Sequence, residues 1–199
     1  EVMGRHAGFV ALRSGIAGGA DAILVPEIPY DVARVVAKVR AREQLGLRFS
    51  IVVVGEGARP VGGAEPLVEP AHDGLPARLG GAAERLAGQL VRSDVRHEVR
   101  VTVLGHLQRG GPPTASDRLL ATRFGVHAAE LCAQRRFARM VAARGGQVDS
   151  IPLAETQVHV ARIDPEGELA RCARSLGIEL GAAAVADSTR PGDPGTRTA

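Results

Sequence analysis

Apolar positions recur along the chain with two alternating rhythms. From Ala7 to Gly19, small and apolar residues follow a helical period. Ala22-Ile23-Leu24-Val25 is a short solid apolar run stopped by Pro26, the pattern of a buried strand. Asp31 is placed to cap a helix through Val32, Val35, Val36 and Val39 to about Leu45. Phe49 to Val54 is the strongest strand pattern, β-branched and closed by Gly55. Gly57 to Asp73, rich in Gly, Pro and acid, predicts a loop. Leu79 to Val91 predicts a helix with Leu79, Ala83, Leu86 and Leu90 on one face. A third strand is expected from Val99 to Leu104, then irregular chain through Arg109-Gly110-Gly111-Pro112-Pro113. Thr114 or Ser116 caps a long helix to about Arg135. Ala138–Ala143 and Gln147–Ile151 predict two short strands, and Gly167–Ser175 a last helix. The stretch from Ser188 to Ala199 has almost nothing apolar and predicts disorder.

Helices alternating with continuous apolar strands predict an α/β fold, three-layered, with a mostly parallel sheet covered on both faces. Ligands of such sheets lie beyond the carboxyl ends of strands. The stretches to inspect are therefore Pro26-Glu27, Gly55-Glu56-Gly57 and Gly105 to Gly111.

Composition changes this picture little. The 199 residues carry 25 basic and 22 acidic side chains, a net charge of +3, which makes a mildly basic protein rather than a polycation. Lys38 is the only lysine, so almost every positive charge is a guanidinium, a flat fork of donors that fits phosphate. No apolar run reaches the ~18 residues of a membrane-spanning helix. Glu1 to Arg5 shows neither a start methionine nor the basic-then-apolar profile of a signal peptide, and reads as the interior of a longer chain. Cys132 and Cys172 lack metal or redox spacing and are expected as free, partly buried thiols.

The third strand end carries the most chemistry. Gly105 lets the chain turn, His106 and Arg109 stand three residues apart, and Gly110-Gly111 permits close backbone approach before the next helix begins. A helix N-terminus there would add amide donors, so the stretch suits an anion, phosphate above all. Spacing alone leaves a second reading open, a basic loop at a helix start with His106 satisfied by backbone. A lone Arg-Gly-Gly has neither the repetition nor the disorder of a nucleic-acid segment. Glu56, between two glycines, is either a receptor for sugar hydroxyls or a solvated turn acid. Arg100 is either a ligand or half of a surface ion pair beside Glu98. Arg5, at a junction before a helix, can reach a phosphate. No GxxxxGK[ST], HExxH, paired CxxC, GxSxG or GxGxxG motif occurs, so no metal site and no cofactor-binding loop is expected in this stretch.

Two long motifs together resemble one family. Glu1-Val2-Met3-Gly4-Arg5-His6-Ala7-Gly8 resembles the segment that opens the sugar-binding half of 6-phosphofructokinases. Arg100 to Gly111, Arg-Val-Thr-Val-Leu-Gly-His-Leu-Gln-Arg-Gly-Gly, resembles their second substrate segment. Ala115-Ser116-Asp117-Arg118, Ala121 to Gly125, Ile16 to Asp21 and Val25-Pro26-Glu27 continue the likeness, which covers roughly residues 1 to 180.

The resemblance implies a glycolytic phosphotransferase that moves a phosphoryl group from ATP or pyrophosphate to the 1-hydroxyl of fructose 6-phosphate, with Mg2+, in the cytoplasm. It implies that Met3, Gly4 and Arg5 line the sugar phosphate, with Arg5 also meeting transition-state charge. It implies that Glu56 binds sugar hydroxyls, that His106 and Arg109 grip the 6-phosphate, and that Arg100 reaches that phosphate from a neighbouring subunit of a homodimer or homotetramer. The nucleotide loop, the magnesium acid and the catalytic base lie upstream of Met3 in the family, so Mg2+ and ATP or pyrophosphate are expected to be held mainly by residues outside this chain, and the segment alone is expected to be inactive. No nucleic-acid or membrane partner is implied. Residues 1–107 with about 165–180 would form the sugar domain, 108–158 would return to the nucleotide domain, and 188–199 would be a disordered tail. The face of Leu119, Leu120, Phe124, Val126 and Leu131 would then lack its partner. Allosteric bacterial members carry lysines where Leu45 and Leu47 stand, with only Arg48 basic here, and an acid near the effector's metal where Asp21 stands, so nucleotide regulation is not expected. Two other readings are a non-catalytic sugar-phosphate-binding remnant and a general α/β anion-binding module.

Overall fold

A computed structural model describes residues 1–69, 78–93, 95–156 and 161–182. The expected disorder over 188–199 and the last part of the predicted loop, 70–73, lie outside these residues. The chain divides into two compact units, residues 1–105 together with those from 162 onward, and residues 106–161.

The first unit is a three-layer α/β arrangement. Strand β1 (Ala22–Leu24) pairs in parallel with β2 (Val52–Val54), with Ala22 opposite Val52 and Leu24 opposite Val54. Each edge is extended by one further parallel bridge, Glu179 beside Ala22 and Val2 beside Gly55. All three residues of β1 are buried. Successive side chains of a strand point to opposite faces, and the core divides accordingly. Ile23 and Val25 join a cluster with Leu12 of helix α1 (Phe9–Ala17), and with Ala170 and Ala173 of the C-terminal helix Glu168–Ser175. Ala22 and Leu24 join a second cluster with Val35 and Val36 of α2 (Val32–Gln44), and with Ala82, Ala83, Leu86 and Leu90 of α3 (Ala82–Arg92).

Local chemistry sets the helix ends. Asp31 accepts the amide of Ala33 at 2.9 Å and caps α2 as its sequence predicts. Helix α3 begins at Ala82 rather than Leu79. Gly80 and Gly81 take φ of 156° and 79°, which breaks the helix, and Leu79 sits in a two-residue strand, β4 (Arg78–Leu79). That strand pairs antiparallel with β3 (Leu67–Glu69), so the predicted loop from Gly57 contains a strand. The strand predicted over Phe49–Val54 starts only at Val52, and Phe49 is 65% exposed.

The strand expected over Val99–Leu104 does not form. Its only backbone pairing shown is with Glu1, which donates its N-terminal amine to the Thr102 carbonyl (2.7 Å) and accepts the Leu104 amide (3.0 Å). An apolar segment with a ladder this short stays outside the sheet, and Val101, Val103 and Leu104 are exposed. A groove of about 360 Å³ runs here, between Ile51-Val52, Leu86-Leu90 of α3 and Val99-Arg100.

The second unit packs helix α4 (Ala115–Ala133) on an antiparallel hairpin, β5 (Arg139–Arg144) with β6 (Gln147–Pro152). Helix α5 (Glu168–Ser175) belongs to the first unit. Leu131 and Ser150 are the buried residues of the second unit among those described. Of the face named from the sequence, Leu119, Leu120 and Val126 are exposed, Phe124 is half-buried and Leu131 is buried. Cys132 and Cys172 are free but exposed rather than partly buried, because each falls on the outer side of its helix. Among the described residues no helix is long and apolar enough to cross a membrane.

Leu86, 2% exposed on the core-facing side of α3, tests the second cluster. Leu86→Ala should lower unfolding free energy by about 2–5 kcal/mol, read by denaturant melting of the first unit.

Candidate functional site

The end of β2 and the chain before α1 build the best-defined constellation. Val2 donates its amide to the Val54 carbonyl (2.9 Å), and the Glu56 amide donates back to Val2 (2.9 Å), so residues 1–5 lie alongside the strand end. There the Glu56 carboxylate turns onto backbone. Its Oε1 accepts the amides of Gly4 (3.0 Å) and Arg5 (2.7 Å). The Ala7 amide closes a turn onto the Gly4 carbonyl at 3.0 Å. Gly4 has φ 149° and Arg5 has φ 50°. A side chain at Gly4 would lie 2.5 Å from the Ala7 carbonyl oxygen, so only glycine fits. A non-glycine residue held at positive φ carries roughly 1–3 kcal/mol of strain, which persists only where surrounding bonds over-determine it. Two charge-assisted bonds to one carboxylate oxygen meet that condition. The Arg5 side chain is exposed, and its neighbour His6 pairs through Nδ1 with Glu65 Oε1 at 3.2 Å.

Met3, Gly4, Arg5 and Glu56 are thus brought together. Glu56 uses Oε1 as a clamp on the backbone of this group. Arg100 stands apart from this group. Its Nη2 meets Glu98 Oε2 at 2.9 Å, with both side chains more than two-thirds exposed, which is the surface ion pair that the sequence left open. Such pairs contribute little to stability.

His106 and Arg109 lie in a 3-10 helix, Gly105–Arg109, whose last residue is the first of the stretch Arg109–Pro113 predicted to be irregular. In that geometry residues i and i+3 eclipse, so the two side chains share one face. Both are exposed, and the Gly110 amide closes the turn onto Leu107 at 3.0 Å. Four residues later α4 opens on a full capping box. The Asp117 amide donates to the Thr114 hydroxyl oxygen (3.2 Å), while the Thr114 amide and hydroxyl both donate to Asp117 Oδ2 (2.8 Å each). The Thr114 backbone bond first, and its hydroxyl second, hold the Asp117 carboxyl below its usual range, with slight opposition from desolvation.

Several carboxylates organise backbone in ways sequence reasoning did not assign, although it marked Glu27 as an acid after a strand. Glu27 accepts the Gly8 amide on both oxygens (2.9 and 3.1 Å) and the Ile163 amide on Oε1 (3.0 Å). Glu1 accepts the amides of Gly81 (3.3 Å) and Ala83 (2.9 Å) at the start of α3. Position after a strand was a usable signal for Glu27, and none existed for Glu1. Asp21, the acid considered for an effector's metal, is 9% exposed and engaged by Arg42 Nη1 (2.7 Å) and the Ile51 amide (2.9 Å). Leu45 and Leu47 are exposed. Among the described residues no group of three His, Cys, Asp or Glu side chains is arranged to hold a metal ion.

The architecture defines a three-layer α/β protein with a parallel sheet and with arginine and histidine side chains exposed beyond its strand ends. Residues 1–132 match the family model for phosphofructokinase, and the chain belongs to that family. It is 51% identical over 181 residues to an ATP-dependent 6-phosphofructokinase of Chloroflexus aurantiacus, covering 91% of this chain and 49% of the relative. It is 47% identical over 167 residues to a pyrophosphate–fructose 6-phosphate 1-phosphotransferase of Amycolatopsis methanolica, covering 83% and 48%. A pyrophosphate-dependent phosphofructokinase structure from Marinobacter aquaeolei shares the fold with a TM-score of 0.65 at 24% identity, over 98% of this chain and 49% of that one. The chain spans about half the length of these curated relatives.

The capping box gives a pH test. Because the Asp117 pKa is lowered by folding, its contribution is complete above the ordinary aspartate range and is lost as pH falls through the depressed value. The protection of the first-turn amides of α4, taken relative to the intrinsic exchange rate at each pH, should therefore fall on acidification in the native chain, and should be low with no such step in Asp117→Ala.

Proposed function

We propose that this chain supplies the fructose 6-phosphate side of a 6-phosphofructokinase, the enzyme that transfers a phosphoryl group to the sugar 1-hydroxyl. The observation that carries the reading is the strained turn at Arg5, held by Glu56 at the carboxyl end of the parallel strand β2, where α/β sheets take their ligands. The names of the relatives agree on the acceptor and differ on the donor, ATP in one and pyrophosphate in another. The donor is therefore left as ATP or pyrophosphate, with Mg2+ as the family's metal.

Each residue has a physical task in this reading. His106 and Arg109, eclipsed on one turn, present an imidazole and a guanidinium to the 6-phosphate dianion. Met3 and Gly4 shape the edge of the sugar pocket, and Gly4 lets backbone come close. Arg5 meets charge that develops on the transferred phosphoryl group, where a positioned cation lowers the barrier most. Glu56 offers its second oxygen to sugar hydroxyls. Arg100, on the surface, exchanges Glu98 for the phosphate bound to a neighbouring copy in a homodimer or homotetramer. Residues 1–107 with about 165–180 serve as the sugar domain, and 108–158 as part of the nucleotide domain. The place of action is the glycolytic cytoplasm.

A narrower reading also has support. In it the same arginine and histidine side chains hold fructose 6-phosphate in a module that does not turn it over, the non-catalytic remnant weighed above. Calorimetry with fructose 6-phosphate checks both readings. Binding should weaken about 10- to 100-fold in Arg109→Ala, the loss expected of one charged contact of roughly 1.5–3 kcal/mol. Equal affinity in native chain and variant would remove Arg109 from the phosphate site. A coupled assay of the isolated chain with Mg2+ and ATP, or with pyrophosphate, should show no fructose 1,6-bisphosphate. A metal-dependent rate would overturn the expectation that the chain alone is inactive.

A further inference from the structure

The turn that carries Arg5 is closed on a second side by Gly57, which lies in the strand-end stretch Gly55–Gly57 but was given no role by the sequence. Gly57 follows the clamp residue Glu56, and it packs directly beneath the Arg5 peptide. A Cβ at position 57 would fall well under 3.0 Å from the Arg5 carbonyl oxygen, 3.2 Å from the Arg5 carbonyl carbon and 3.1 Å from Pro26 Cγ. The obstructing atoms are backbone on one side and a proline ring on the other, and neither can swing aside as the end of a long side chain would. Gly57 itself does not have a positive φ. Its backbone is therefore open to any residue, and what the site requires of position 57 is space alone.

The sign pattern at the turn shows why that space matters. Gly4 accepts the Ala7 amide, and of the two central residues Arg5 has positive φ while His6 does not. Glycine is the usual first central residue of such a turn. Here a functional side chain occupies the place, so the surroundings must impose the conformation. Three constraints do so. The Glu56 carboxylate pulls both amides toward the strand end. The Gly57 gap receives the Arg5 carbonyl. The Glu56 and Val2 backbones bond to each other, which fixes the distance between the two chain segments.

We infer that Gly57 is a positioning residue for Arg5, acting with the Glu56 clamp to set the direction in which the guanidinium leaves the backbone. The functional half of this inference rests on the reading of Arg5 as a ligand of the sugar phosphate, and the conformational half does not. A methyl at position 57 displaces the Arg5 peptide, breaks or lengthens the two bonds to Glu56 Oε1, and releases the turn to ordinary negative φ. The guanidinium then points elsewhere although it is chemically unchanged.

The test uses the 199-residue chain with two readouts, the amide resonances and exchange rates of Gly4 and Arg5 without ligand, and fructose 6-phosphate affinity by calorimetry. Gly57→Ala should shift both amides, speed their exchange and lower affinity about 10- to 100-fold, the scale expected for a group displaced by about an ångström. Glu56→Gln keeps an acceptor but removes its charge, and should move the same amides less far. Arg59→Ala, an exposed change in the same loop, should move neither readout. Should Gly57→Ala fail to give a cooperative melt, Glu56→Gln decides by the same measurements. A folded Gly57→Ala with unmoved Arg5 and Gly4 amides overturns the inference, and so does one whose amides move while affinity stays native. If the native chain itself binds no fructose 6-phosphate, the proposed function fails, and the amide readout alone decides whether Gly57 and Glu56 hold the turn.

Discussion

Burial of β1 on both faces is the constraint from which the first unit is built. Three residues, Ala22 to Leu24, must satisfy their backbone in a ladder and bury side chains in two directions at once. Ile23 enters one apolar cluster, and Ala22 with Leu24 enters the other. Each buried CH2 contributes about 0.8 kcal/mol, so a register slip of one residue would exchange the two sets and leave both clusters mispacked. The strand beside it, β2, inherits that register, and with it the positions of Gly55, Glu56 and Gly57. The location of the Arg5 turn is thus a consequence of core packing several residues away.

Carboxylates placed on backbone amides are the second organising device. Glu1, Asp21, Glu27, Asp31 and Glu56 each accept at least one main-chain N–H. A carboxylate in this role does what a strand neighbour or a helix turn would otherwise do, and holds the backbone where no regular element passes. Glu27 joins the start of α1, the end of β1 and residue 163 in one small set of bonds. Glu179 does similar work at the opposite edge. Its side chain takes a two-pronged contact from Arg34 (3.0 Å each), which raises the Arg34 pKa through the hydrogen bond first and the charge second, and its backbone bridges β1. Tyr30, buried between these parts, has its phenol pushed up by desolvation, partly offset by Arg85, and donates to Gln89 at 3.3 Å.

Periodicity and capping made much of this legible before any coordinates. The helices at Ala7–Gly19, Asp31–Leu45 and Thr114–Arg135, the strand at Ala22–Val25 and the hairpin at 138–151 follow from local pattern, because each has its signal within its own sequence. The failures share a cause. Val99–Leu104 has the composition of a strand and yet, among the described residues, its backbone bonds only to Glu1, and strand formation depends on a partner that sequence pattern does not display. The early start predicted for α3 neglected a glycine pair that can end one element and open another. At the candidate site, residue types were legible and roles were less so. Glu56 was visible as an acid after a strand, but its grip on Gly4 and Arg5 depends on Val2 lying beside β2, a contact between residues more than fifty apart. Gly57 carried no sign of its role, since a glycine needed only for room resembles any loop glycine.

The first unit is discontinuous, and this bears on how it comes to exist in a cell. Its edge beside β1 is completed by Glu179, which leaves the ribosome long after Ala22, and the whole of residues 106–161 is translated in between. During that interval Ile23 has its α1 partners but not Ala170, Ala173 or Ile178. The hairpin and α4, by contrast, are contiguous and can associate as soon as they emerge. Synthesis at about 5–20 residues per second therefore leaves the incomplete sheet edge uncovered for seconds, a window in which a nascent-chain chaperone has both time and surface to act.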